Sequence, residues 1–281
     1  SGDGGDELFG GYTRYFLGLD MWKKIEKIPK MIRKPLAGGI RLLSPESWNS
    51  LFRVMTPLVP VGLRLNNPGG KLHKLAKMLP GGSGEVMYAL MCWHWNDASN
   101  LVINAAGSPN PVTGSFPWNN HDLHIQESMM CADMISYLPD DILVKVDRAS
   151  MGVSLESRIP LLDHRVVEFA LQIPLSMKIR KWTGKWPLRQ VLSRYVPSTL
   201  IDRPKMGFGV PIDIWLRGAL REWGEALLDK KRLLDEGFFH PDLIRKKWDD
   251  HIAGTANYQY DLWDVLMFQA WLEHQKSVVA L

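Results

Sequence analysis

Apolar positions along the chain recur at intervals of three and four residues, the spacing of one face of a helix, and almost nowhere at the strict alternation of a half-buried strand. The stretch "RYFLGLDMWKKIEKIPKMIRKPLAGGIRLL" shows this spacing, and Pro29 and Pro35 are expected to cut it into short helices. "SPESWNSLFRVM" opens with Ser44 as an N-cap and Pro45 at the first helical position, a start signal for a further helix. "GGKLHKLAKML" predicts an amphipathic helix that stops at "PGGSG", and "GEVMYALMCWHW" predicts the next one. "NAAGSPNPVTGSFPWNN" is dense in Gly, Pro, Ser and Asn and reads as a long surface loop. Beyond it, helical segments are punctuated by Pro139, Pro160 and Pro174, and the tail from Val210 to Gln275 is strongly helical, with Trp and Leu on recurring faces. The fold class expected is mostly α.

Composition adds bounds. With 46% apolar and 23% charged residues, the chain can bury a sizeable core and describes an ordinary globular unit. The net charge of +4 is spread among acidic residues, which gives nucleic-acid binding little support but leaves room for a local cluster that receives phosphate. Cys92 and Cys131 are the only cysteines and form no CxxC, which points to buried free thiols in a reducing compartment. No apolar run is long enough to span a membrane.

Three stretches carry candidate chemistry. In "SGDGGDELFGG", glycines allow close backbone approach to a ligand, and Asp3, Asp6 and Glu7 are hard oxygen donors suited to Mg²⁺ beside phosphate. The alternative is a Gly-rich turn with Asp6 as the N-cap of the following helix. "PGGSGE" lacks the Lys and hydroxyl residue of a phosphate loop and reads as a turn between helices. "YLPDDILVKVDRASMGVSLESRIPLLDHR" holds Asp140, Asp141, Lys145, Asp147, Arg148, Glu156, Arg158, Asp163, His164 and Arg165 in an apolar setting, an arrangement expected of an internal salt-bridge network or of an active-site wall. Asp163 beside His164 does not make a hydrolase triad, because no GxSxG nucleophile turn exists. "DRPKMGFGVP" presents Lys205 between a Pro turn and two glycines, either as a point charge for phosphate or as a solvated loop lysine.

Taken together and in order, "SGDGGDELFGGYTRY", "YLPDDILVKVDRASMGVSLESRIPLLDHRVVEFA", "GKWPLRQVL" and "DRPKMGFGVPIDIWL" resemble the synthetase domain of glutamine-dependent asparagine synthetases. The resemblance implies the helical C-terminal portion of an α/β ATP-pyrophosphatase-type synthetase domain over residues 1–281. The family's upstream sheet, SGGxDS loop and glutaminase domain with its catalytic Cys are not found here. It also implies a cytoplasmic ligase of asparagine biosynthesis. ATP and Mg²⁺ would activate aspartate, or a related carboxylate, as an acyl-adenylate with loss of pyrophosphate, and glutamine-derived ammonia would then attack the acyl carbon.

By position, Asp6 resembles the family's Mg²⁺-pyrophosphate ligand, and Ser1 and Gly2 resemble part of its nucleotide contact. Asp3 stands where the family often has Glu near the acyl group and ammonia, one methylene shorter. Arg148 and Lys205 resemble cations facing the phosphates, and Glu156 an acidic residue lining the site. Relatives with the same adenylation step amidate sugars or close lactam rings, so the acceptor stays open, as does a helical binding module without activity. Helices parted from their sheet are expected to expose an apolar face and to favour homo-oligomers.

Overall fold

The structure is a computed structural model and describes residues 1–55, 68–81, 84–95, 100–105, 118, 123–201 and 209–279. The expected all-helical character holds: the described residues form helices, and their only β pairings are the isolated bridges Val102 to Phe239 and Arg180 to Thr183. The chain divides into two compact units, Ser1–Cys92 with Asn110–Arg203, and Trp93–Pro109 with Pro204–Leu281.

In the first unit the helices are α1 (Gly5–Phe9), α2 (Thr13–Glu26), α3 (Lys30–Arg41), α4 (Pro45–Met55), α5 (Pro68–Gly81), α6 (Gly84–Cys92) and α7 (Ile125–Ile135). After a π turn at Leu138–Leu143 come α8 (Val144–Met151), α9 (His164–Gln172), α10 (Leu175–Lys178), α11 (Trp186–Leu192) and α12 (Ser198–Ile201). Pro29 ends one helix as expected, but Pro35 lies inside α3 and does not cut it. Its missing N–H cannot bond the carbonyl of Met31, and Met31 is 90% exposed. Ser44 caps α4 as predicted, accepting from the Ser47 N–H at 3.1 Å. Pro139 starts the π turn, and Pro160 starts a single 3₁₀ turn at Pro160–Leu162. The predicted loop from Asn104 to Asn120 falls almost wholly outside the described residues.

The main core of this unit gathers Tyr15 and Ile25 from α2, Ala37 and Ile40 from α3, Ala76 and Leu79 from α5, Met87 and Tyr88 from α6, and Met129 and Met130 from α7. A smaller cluster of Leu8, Phe9 and Ala170, joined by Leu162, Val167 and Leu188, sits under α1.

The second unit holds α13 (Ile212–Arg217), α14 (Arg221–Leu227), α15 (Lys230–Glu236), α16 (Pro241–Ile252) and the long α17 (Gln259–Val279). Leu262, Val265, Leu266, Gln269 and Leu272 form the buried stripe of α17, at the spacing that marks one helix face. The segment from Trp93 to Ala105 belongs with these distant helices. His94 Nδ1 lies 2.9 Å from Asp264, the Trp95 indole donates to the Asp261 carbonyl at 2.8 Å, and the His240 N–H donates to the Leu101 carbonyl at 2.9 Å. Cys92 and Cys131 form no disulfide and are only half-buried, and burial pushes the Cys131 thiol up from its ordinary range.

Candidate active site

The segment Ser1–Gly11 turns sharply around a helix of five residues, with left-handed glycines at either end, Gly4 (φ 82°) and Gly10 (φ 68°). A side chain at Gly4 would be strained by that backbone and would also meet Leu162 at 2.4 Å. Asp6 therefore sits in the first turn of α1, whose N-cap is Gly4, and the alternative in which Asp6 is the cap is excluded. Leu8 and Phe9 anchor the other face of α1 in its small core.

Asp6 meets a cation from far along the chain. Lys185 Nζ lies 2.8 Å from the Asp6 carboxylate, with both side chains only partly exposed. The Lys185 backbone is in the left-handed region (φ 56°), and its N–H donates to the Phe9 carbonyl at 2.8 Å, so the residue is pinned to the end of α1. Gly184 makes that approach feasible, since a Cβ there would lie 2.0 Å from the Gly10 carbonyl oxygen. Lys185, within the resembling stretch "GKWPLRQVL", was not among the expected site residues. The signal available was a Lys directly after Gly184 and directly before the helix start at Trp186-Pro187.

Glu7 faces inward and is 1% exposed. It accepts from the Tyr12 hydroxyl at 2.6 Å, and burial, the larger effect, raises its carboxyl above the ordinary value. Behind it lies a polar cluster that the sequence reading missed. Asp133 on α7, wholly buried, accepts from Arg14 at 2.9 Å, from Tyr88 at 2.6 Å and from the Tyr15 hydroxyl. The Arg14 guanidinium also lies over the rings of Tyr12, at 4.1 Å, and Tyr137, at 4.8 Å. Asp133 gave no warning in the sequence, because an Asp between Ala132 and Met134 on a helix has partners only through the fold.

The second predicted stretch also reaches the Gly-rich segment. The Ser1 backbone nitrogen donates to the Arg158 carbonyl at 2.6 Å, Ser1 Oγ bonds Asp3, and Gly4 and Gly5 pack on Leu162 and Leu161. The loop after α8 folds back on that helix: Ser157 donates to Ser150 at 3.0 Å, and the Leu155 N–H donates to the Ser150 carbonyl at 2.9 Å. Ser1, Asp3 and the Glu156 loop are thus joined by contacts. Arg148 is exposed on α8 and paired with Asp147, while Glu156 pairs with Arg158 at 3.0 Å, both exposed. Lys205 lies outside the described residues, and Gly2 is exposed.

The expectation that the ionisable residues from Asp140 to Arg165 form an internal network is overturned. They lie at the surface, and the pairs they form are local: Arg148 with Asp147, Arg158 with Glu156, and Arg165 with Asp163. Short-range pairs in water suffice because none of these charges is desolvated. Asp163 caps α9 by accepting from the Arg165 N–H, and its bonds to Arg165 hold its carboxyl down to about 2, which explains the Asp-His-Arg run without catalysis.

Among the described residues no group of three or more His, Cys, Asp and Glu is poised to hold a metal. Asp3 and Asp6 are nonetheless hard oxygen donors on one short turn, and Mg²⁺ commonly takes only one or two carboxylates beside substrate phosphates. The donor set fits that ion.

A family model described as asparagine synthase matches residues 1–273. The chain belongs to the asparagine synthase family. It is 30% identical over 277 residues to a putative glutamine-hydrolysing asparagine synthetase of Mycobacterium bovis, covering 96% of this chain and 38% of that protein. Against asparagine synthetase 1 of Bacillus subtilis it is 30% identical over 274 residues, covering 96% of this chain and 39% of that protein. A more distant relative, the amidase chry2 of Gibberella zeae, is 24% identical over 250 residues, covering 85% of this chain and 36% of that one. The chain therefore spans less than two fifths of the length of these asparagine synthase relatives. No solved structure matches it significantly.

Proposed function

We propose that this chain forms the phosphate-facing, helical part of an ATP-dependent amidotransferase. The observation that carries the reading is the Asp6–Lys185 pair at 2.8 Å, an acidic and a cationic side chain held at the exit of a Gly-rich turn by backbone that only glycine permits nearby. In the proposed reaction a carboxylate oxygen of aspartate, or of a related acid, attacks the α-phosphorus of ATP, the bond to the β-phosphate oxygen breaks, and pyrophosphate leaves. Ammonia then attacks the acyl carbon and AMP departs. Mg²⁺, when bound, would neutralise phosphate charge beside Asp6.

Lys185, with Arg148 and Lys205, would stabilise the negative charge that accumulates on departing pyrophosphate, where a fixed cation helps most. Ser1 and Gly2 would contact the nucleotide, and Asp3 and Glu156 would stand near the acyl group. Glutamine-derived ammonia, the nucleotide loop and the glutaminase portion belong to the longer protein that the relatives represent, so the fragment alone is expected not to turn over. The asparagine synthetase names of two relatives favour aspartate as acceptor. The chry2 relative, named an amidase, keeps a second acceptor in play.

The test is pyrophosphate release by the full-length protein. With aspartate and ammonia supplied, Lys185→Ala is expected to lower turnover about a hundred-fold or more while leaving thermal unfolding nearly unchanged, the scale of losing one preorganised charge. Unchanged turnover in a folded variant rejects the role.

A further inference from the structure

Arg33, Ala37 and Ile40 form the inward stripe of α3 and are buried. On the opposite side Met31, Pro35, Gly38 and Leu42 follow at steps of four, three and four, which places them on one outward ridge. Met31 is 90% exposed and Leu42 85% exposed, and a methyl group built on Gly38 or Gly39 would meet nothing within 4 Å. Exposed Ile32 and Leu36 widen the ridge. The outward face of a helix lying on a core is ordinarily polar, so this one is made for something that covers it.

Charge indicates the covering material. From Lys27 to Pro45 the chain carries Lys27, Lys30, Arg33, Lys34 and Arg41 and no acidic residue. Lys30, Lys34 and Arg41 project along one flank of the apolar ridge. Arg41 is tied down, donating to the Ala76 carbonyl at 3.0 Å, whereas Lys27, Lys30 and Lys34 are exposed and form no ion pair among the described residues. Exposed Met151, Val153, Leu155 and Phe169 elsewhere in the unit are by contrast interleaved with the carboxylates of Asp147, Glu156 and Glu168, as suits a protein neighbour of mixed charge. An apolar ridge with a flank of one sign instead matches a lipid interface, where the ridge enters the acyl boundary and ammonium groups meet headgroup phosphates.

We propose that α3 docks this chain peripherally on an anionic phospholipid surface. The experiment sediments the full-length protein with vesicles of phosphatidylcholine alone or of phosphatidylcholine mixed with phosphatidylglycerol, so that a ridge covered by the rest of the protein gives no binding. Binding to the mixed vesicles and not to the neutral ones is expected. Lys30→Gln and Lys34→Gln should each lower the partition about five-fold. The double variant Met31→Ser, Leu42→Ser keeps every charge and should lower it about ten-fold or more, because the insertion is lost. Both side chains are solvent-facing, so circular dichroism and thermal unfolding should not move. Absence of binding to anionic vesicles overturns the proposal, and so does equal binding by the serine variant, which would mark general attraction of a basic chain. Self-association that light scattering shows to vanish in the serine variant, without vesicle binding, also overturns it and assigns the ridge to a second copy.

Discussion

A carboxylate lies at the centre of the first unit, and an indole at the centre of the second. Asp133 is fully buried and held by Tyr15, Tyr88 and Arg14. Trp248 is 1% exposed among Leu227, Leu228, Ile244, Leu262 and Leu266, and its N–H donates to Glu225. Directional bonds fix angles as well as distances, while apolar packing fills volume and tolerates adjustment. The directional core is the one that leads, through Arg14, Tyr12 and Glu7, to the turn carrying Asp6. Precision is built where the candidate site needs it, and bulk where it does not.

The strongest way to break this comparison is Asp133→Ala. It leaves the Arg14 guanidinium buried without its anion and strands two hydroxyls, a loss of about 3 to 5 kcal/mol. Hydrogen exchange should show lost protection in α2, α6 and α7 with α16 and α17 unaffected. Equal loss in both units would mean that they unfold as one, and the contrast between their cores would have no energetic content.

A smaller effect is expected from Gly224→Ala in the second unit. A Cβ there would lie 2.5 Å from the Trp248 ring, which is locked among its neighbours. Overpacking of this kind costs about 1 to 3 kcal/mol, and denaturant unfolding should register it. Pairing the substitution with Trp248→Phe should recover part of the loss by clearing the space. Failure of that rescue would show that the strain lies in the helix and not against the indole.

Much of this was legible beforehand. Helical spacing marked the elements, Ser44 and Pro45 marked a helix start, and the glycines around Asp6 marked an unusual turn. Pro35 misled because a proline removes one helical hydrogen bond and strains the turn before it without necessarily ending the helix, and here it lies inside α3. The charges from Asp140 to Arg165 misled because apolar neighbours in sequence were read as an apolar environment, and exposure is decided by packing. Asp133, Arg14 and Lys185 escaped because their chemistry consists of partners 119 residues apart in one case and brought together by a left-handed turn in the other. The division into two units was equally hidden, since the segment from Trp93 pairs with helices more than a hundred residues later.

Acid sharpens the comparison most finely, because the two interiors should respond in opposite senses. His251 is buried, and the Tyr258 N–H donates to its Nδ1 at 3.2 Å, which places the ring proton on Nε2. Burial first, and then the nearby Arg217 cation, push its pKa below the ordinary 6.5, with Asp213 opposing. The second unit thus keeps this contribution above pH 6.5 and loses it as pH falls through the lowered folded value. Exposed His94, raised by its bond to Asp264, works the other way but is largely screened by water. Glu7 in the first unit has a folded value above 4.5, so its protonation favours the fold as pH falls through that value toward 4.5. Hydrogen exchange at pH 7 and at pH 5 should show α16 and α17 losing protection on acidification. His251→Asn, which keeps an acceptor for Tyr258 and removes the titration, should flatten that change while lowering stability at both pH values. An acid loss undiminished in the variant would move the titration to another group and leave the indole-centred core without a pH response of its own.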